Sequence, residues 1–230
     1  MKLEVEFLLH ECESVLGGYA VLYVLRLINL CVKADATTLL PAVIEFKGSE
    51  KKIEEVAKVG MRVEDELEVY PFHEDLILPI GKAIAEIHPE FKQEIEVRHI
   101  ESQDKDFKYM RLIMPEVNKE RHDLLLEGVD ALYDVAKGQL DAAKAKYTLK
   151  VGKELIGRPE DEINEARKQI DDTYDQHIKM IDQSKADKQK EIEDAYQLYQ
   201  EREAQKEKSK LEQLAAEGSD VVSQMKMGES

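Results

Sequence analysis

Apolar residues recur at intervals of three and four along residues 125–151, the spacing of one long amphipathic helix. They are Leu125, Val129, Leu132, Ala136, Leu140, Ala143, Tyr147 and Val151. A second such stripe starts after Pro159, and residues 2–32 form a third helix-like segment crowded with apolar residues. Because none of these faces can remain in water, the three helices are expected to pack together as a bundle.

The segment between the first and second of these helices has a different pattern. Residues 39–48, 66–72, 94–101 and 107–115 resemble short strands, and residues 79–87 resemble a short helix with a proline in its first turn. The sequence therefore predicts an α+β fold: a three-helix bundle rod with an inserted small α/β, β-rich domain.

The predicted boundaries follow from these changes of pattern. Residues 1–35 and 116–217 would form the discontinuous bundle, residues 36–115 the inserted domain, and residues 218–230 a disordered tail. The chain would cross between the two domains twice through a two-strand hinge. The predicted hinge residues are Ala34, Asp35, Ala36, Pro115, Glu116 and Val117.

Charge and composition limit the classes of function. The net charge of −16 argues against a general nucleic-acid binder, because phosphate contacts need clustered Lys and Arg. Residues 15–32 are mostly apolar, but Arg26 and Asn29 favour a buried bundle helix over a membrane span. Neither a secretory signal nor an organellar transit peptide is visible at the N-terminus.

The sequence offers no recognisable catalytic or metal-binding motif. Six histidines are scattered along the chain, and Cys12 and Cys31 lie too far apart for a familiar metal-ligand spacing, which suggests two small core residues in a reducing compartment. Paired carboxylates carry little weight in so acidic a chain. We therefore expect no enzyme activity, no metal and no cofactor.

The most basic stretch of the chain lies on the second long helix. Lys146, Lys150 and Lys153 share one face beside the apolar stripe, and Lys137 and Lys144 fall on its other flank. A solvated helix face and a phosphate-binding surface are both consistent with this pattern.

Several ungapped blocks resemble the ribosome recycling factor family in the right order. Residues 53–61 follow the pattern L-x-x-L-A-x-V-x-V, residues 82–84 match K-A-I, and residues 111–121 resemble R-x-P-x-P-x-x-T-x-E-R. Matching positions in the third helix are Ile170, Asp175, Ile178, Ile181, Lys188, Glu191 and Ile192. The resemblance covers roughly residues 36–193.

The resemblance implies a translation factor whose rod binds the large ribosomal subunit and its rRNA. An elongation factor G-type GTPase would then act on the hinged domain and separate the subunits after termination. The positions implied as ribosome-binding or rRNA-binding are Lys33, Arg121, His122, Lys137, Lys144, Lys146, Lys150 and Lys153. Lys144 is favoured for a phosphate contact, whereas Arg121 could equally pair with a carboxylate. Off the ribosome, the chain is expected to be a monomer without a membrane partner.

This chain departs from the family pattern mainly by losing positive charge. The R-x-x-R-R cluster of the family's second helix is replaced by Asp141, Lys144 and Ala145, and only Lys33 keeps a cation where the first helix ends. Together with the tail of about 35 residues, these losses suggest an alternative: a ribosome assembly or structural factor derived from a recycling factor. The divergence also favours a mitochondrial location.

Overall fold

The computed structural model describes residues 3–63, 65–100 and 105–227. Three long helices form the rod: α1 (Leu3–Ile28), α4 (Lys119–Glu154) and α5 (Glu160–Met227). Between α1 and α4 the described residues form two short α-helices, α2 (Ile53–Val56) and α3 (Ile77–Ile87), two 3-10 helices, Ala36–Leu39 and Glu74–Leu76, and six strands. The strands are β1 (Val43–Phe46), β2 (Ser49–Lys52), β3 (Ala57–Val63), β4 (Glu66–Pro71), β5 (Lys92–Ile100) and β6 (Lys105–Ile113). The predicted α+β architecture is confirmed.

The long helices pack on one another through the predicted apolar stripes. Seven of the eight stripe residues of α4 are buried, and Leu132 packs partly buried against the same core. The Asn118 side chain accepts a hydrogen bond from the Arg121 amide at 2.9 Å and so caps the start of α4. Between α4 and α5 the chain turns at Gly157, whose φ of +76° suits glycine.

The inserted domain contains two antiparallel sheets. Strands β1 and β2 form a hairpin closed by Lys47 and Gly48, both at positive φ, as a two-residue turn of this kind requires. The other strands form a four-stranded sheet in the order β3-β4-β6-β5. Arg111, in β6, is ion-paired with Glu66, Glu94 and Glu96 on neighbouring strands, so it stabilises this sheet.

The rod and the inserted domain have separate hydrophobic cores. The rod core is built around residues such as Leu16, Tyr23 and Leu140, and the core of the inserted domain around Leu67 and Leu112. Two connecting segments, residues 29–35 and 114–118, join them. Each contributes side chains to both cores.

The C-terminal part of the chain differs from the prediction. The sequence predicts disorder from residue 218, but α5 continues to Met227, and residues 228–230 lie outside the described part of the chain. Residues 102–104 of the predicted turn before β6 also lie outside it. None of the described helices combines the length with the apolar run needed to cross a membrane. Of the apolar 15–32 segment, residues 15–28 belong to α1, and residues 29–32 lie beyond the end of that helix, which is shorter than the sequence predicted.

Candidate functional site

The lysines of α4 lie on two flanks of the helix, as the sequence predicted from their spacing. On one flank the Lys144 Nζ lies 2.7 Å from the Asp171 Oδ1 of α5 and 4.3 Å from the centre of the Tyr174 ring. On the other flank the Lys150 Nζ lies 3.5 Å from the Glu11 Oε2 of α1. These two lysines therefore bridge α4 to its neighbouring helices.

The remaining three lysines of the group point into solvent. Lys137, Lys146 and Lys153 are exposed, and Lys146 lies over the ring of Tyr147 with its Nζ 5.3 Å from the ring centre. Within the described residues, none of the three has an ion-pair partner. They are thus better placed than Lys144 to meet an external phosphate, although breaking an exposed pair such as Lys144–Asp171 costs little.

Arg121 contacts both connecting segments from the first turn of α4. Its Nη2 donates to the Cys31 carbonyl at 2.8 Å and lies 2.9 Å from the Met114 Sδ, while its Nη1 donates to the Pro115 carbonyl. Burial lowers the pKa of Arg121, and the nearby Glu90 carboxylate opposes that effect. The guanidinium is occupied by these backbone contacts, which favours the structural alternative over an RNA contact.

His122 lies inside the rod instead of on its surface. The residue is 6% exposed, and its ring bonds through Nδ1 to Asp123 at 2.8 Å and through Nε2 to Glu193 of α5 at 3.0 Å. Burial works to lower the pKa of His122, but the two carboxylates outweigh it and raise that pKa above its usual value. The residue that the resemblance assigned to RNA thus ties α4 to α5.

Packing and hydrogen bonding fix several of the predicted hinge residues in place. Ala34 is buried in the core of the inserted domain, and Val117 in that of the rod. Asp35 accepts a hydrogen bond from the Thr37 amide at 2.8 Å and begins a short 3-10 helix that includes Ala36. Lys33 is exposed beside them, in a cavity that Pro115 and Glu116 also line.

Nothing in the sequence indicated that Arg202 would lie beside the second connecting segment. Arg202 of α5 places its Nη1 3.4 Å from the Glu116 Oε1 and 3.5 Å from the Asp65 Oδ2, beside β4. The third helix therefore reaches past the rod to both the second connecting segment and the inserted domain. In the sequence, Arg202 is one cation in a uniformly polar stretch, and only the fold brings its partners to it.

A family model described as ribosome recycling factor matches residues 28–192. The chain belongs to the ribosome recycling factor family. The matched region includes both connecting segments, the whole inserted domain and α4. It also includes residues 160–192, the bundle part of α5, which contains the residues that α5 buries in the rod core. Arg202 lies beyond it.

Two solved structures share this fold. The solution structure of the ribosome recycling factor is 19% identical, covers 84% of this chain and 100% of its own, and gives a TM-score of 0.68. A structure of the T. thermophilus ribosome recycling factor, with E. coli elongation factor G on the E. coli post-termination complex, is 20% identical. It covers 82% of this chain and 98% of its own, with a TM-score of 0.51. No curated protein gives a significant match.

Proposed function

We propose that this chain binds the large ribosomal subunit and its rRNA and, with an elongation factor G-type GTPase, splits ribosomes after termination. The observation that carries the proposal is the family match over residues 28–192, which spans the rod and the inserted domain together. The structural relative bound with elongation factor G to a post-termination complex supports the same partners. The chain itself would hydrolyse nothing; the GTPase would supply the energy.

The exposed lysines of α4 would carry the contact with rRNA. Lys146 and Lys153 project from one flank of α4 and Lys137 from the other, and local cations can oppose the unfavourable overall field of an acidic molecule. Lys33 would add a cation near the connecting segments. Arg121 and His122 would contribute indirectly, by fixing the start of α4.

Subunit splitting tests the main claim. Purified post-termination ribosomes are incubated with the protein, the cognate elongation factor G and GTP, and separated on a sucrose gradient. We expect conversion of monosomes into subunits only when both proteins and GTP are present. Unchanged monosomes at saturating protein would rule out recycling.

A charge-reversal variant tests the RNA contact. Replacing Lys137, Lys146 and Lys153 with Glu should weaken large-subunit binding at least about tenfold. It should also reduce the slope of log affinity against log salt concentration by roughly two to three. The matched control reverses Lys168, Lys179 and Lys190, three exposed lysines of α5, and so makes the same change in net charge. Equal weakening in both variants would show a general charge effect and not a site on α4.

A role in ribosome assembly or structure is the second candidate, favoured by the loss of positive charge at Asp141 and Ala145 and by the net charge of −16. It predicts that the protein accumulates on immature large subunits and is missing from post-termination complexes. Sedimentation of lysates with quantification of the protein in each fraction separates the two candidates. The mitochondrial location is likewise a proposal, and fractionation of the source cells tests it.

A further inference from the structure

A buried cluster of three potential metal ligands lies where the first connecting segment meets the inserted domain. The side-chain donor atoms of Cys31, His88 and Glu90 all lie within 4.8 Å of one another. The His88 Nδ1 is 3.7 Å from the Cys31 Sγ and 2.9 Å from the Glu90 Oε1. Cys31 is 4% and His88 1% exposed, while Glu90 is partly open to solvent.

The hydrogen bonds of His88 show which ring nitrogen faces this cluster. Its Nε2 lies 2.9 Å from the Thr38 carbonyl oxygen, which can only accept, so Nε2 carries a proton. In a neutral ring Nδ1 then has a lone pair, and that lone pair faces a carboxylate oxygen and a sulfur. Two acceptors at 2.9 Å repel each other unless a positive charge lies between them.

A Zn²⁺ ion would satisfy all three groups at once. Zinc binds thiolate sulfur, imidazole nitrogen and carboxylate oxygen, and ordinary tetrahedral geometry places sulfur and nitrogen about 3.6 Å apart and nitrogen and oxygen about 3.3 Å apart. The observed separations differ from these by only a few tenths of an ångström. Histidine ligands of metals typically donate their second N–H to a carbonyl, as His88 does to Thr38.

We propose that Cys31, His88 and Glu90 form a Zn²⁺ site that joins the first connecting segment to the inserted domain. Water would complete the coordination from the exposed side of Glu90. Cys31 precedes the inserted domain in the chain, whereas His88 and Glu90 follow α3, so one ion would link two segments 57 residues apart. The thiolate and the carboxylate together balance the charge of the ion.

Protons compete with the metal for this cluster. In the metal-free protein, first the contact with Cys31 and then the bond to Glu90 raise the pKa of His88 to about 10, against the effect of burial. Arg121 adds a positive charge nearby. Binding must therefore displace the Nδ1 proton of His88 and the thiol proton of Cys31, and the affinity will fall at acidic pH.

Cobalt substitution tests the site directly. Adding Co²⁺ to the full-length apoprotein should give one bound ion per chain, with the thiolate charge-transfer and d–d absorption of a near-tetrahedral cobalt–sulfur centre, and Zn²⁺ should displace it. Cys31→Ser should abolish the charge-transfer band, and Glu90→Gln should weaken binding at least about tenfold. Cys12→Ser is the matched control, because Cys12 is buried in the rod core, away from the cluster.

Circular dichroism first establishes that each variant folds. If Cys31→Ser does not fold, Glu90→Gln decides the question, because Glu90 is not part of either hydrophobic core. Absence of stoichiometric Co²⁺ and Zn²⁺ binding by the folded wild-type protein overturns the proposal and leaves a doubly protonated His88 paired with Glu90. A cobalt–thiolate band that survives Cys31→Ser and disappears in Cys12→Ser overturns it as well.

Discussion

At the scale of single residues, Arg121 holds both connecting segments from one side chain. It falls in the block that resembles the family signature, but the sequence left open whether it contacts RNA or a partner within the protein. In the structure Arg121 donates to the carbonyl groups of Cys31 and Pro115, and no pattern in the sequence indicates that these groups lie at the start of α4. Backbone acceptors leave no trace in a sequence, and this is why the role of Arg121 could not be predicted.

Replacement of Arg121 by Lys should destabilise the protein despite the retained charge. An ammonium group cannot reproduce the planar set of donors that reaches two carbonyl groups at once, so we expect a loss of about 1.5–3 kcal/mol. Urea unfolding measures the change. Lys119→Ala, which removes an exposed pair with Asp123 and a cation–π contact with Tyr196, serves as the control and should cost much less.

His122 should make the stability of the rod depend on pH. Its pKa in the folded protein is raised, so the folded state binds more protons than the unfolded state above about pH 6.5. The stabilisation is therefore complete below that pH and is lost as the pH rises through the folded pKa. The free energy of unfolding of the wild type relative to His122→Gln should fall as the pH rises above about 6.5; a constant difference would contradict this.

At the scale of elements, periodicity predicted the helices of the rod well. The 125–151 stripe became the buried face of α4, because a spacing of three and four residues admits few other structures. Four of the six described strands were also anticipated, but β2 and β3 were not, and α5 extends further than its polar composition suggested. Contacts between elements escaped prediction: Lys144 was favoured for phosphate, yet its partner Asp171 lies on a different helix.

The extension of α5 should restrain the inserted domain through Arg202. Arg202→Ala removes the ion pairs with Asp65 and Glu116, so we expect faster hydrogen–deuterium exchange in residues 114–118 with little change in global stability. Arg167→Ala is the matched control, an exposed arginine of the same helix within the bundle part. Identical exchange in the two variants would mean that the Arg202 pairs do not restrain the connecting segments.

At the scale of the whole molecule, two cores imply two units of stability joined by short segments that are only partly buried. Leu112 and Leu140 are both fully buried, one in each core. Their replacement by Ala removes the same side chain and should cost about 2–5 kcal/mol in each case.

The region in which each variant loses protection from hydrogen exchange shows whether the two cores unfold separately. Leu112→Ala should increase hydrogen exchange mainly in β4, β5 and β6, whereas Leu140→Ala should increase it mainly in α1, α4 and α5. Exchange mass spectrometry with peptide resolution measures both. A uniform increase over the whole chain in either variant would show that the rod and the inserted domain unfold as one unit.

The length of α5 sets how far this protein can extend from where it binds. At about 1.5 Å per residue its 68 residues span about 100 Å, nearly twice the length of α4. Residues 203–227 alone add about 37 Å beyond Arg202. A ribosome that binds this chain must leave space for residues 203–227, the overhang of α5, or contact them. In a cryo-electron microscopy map, the overhang would mark the direction in which the chain is inserted.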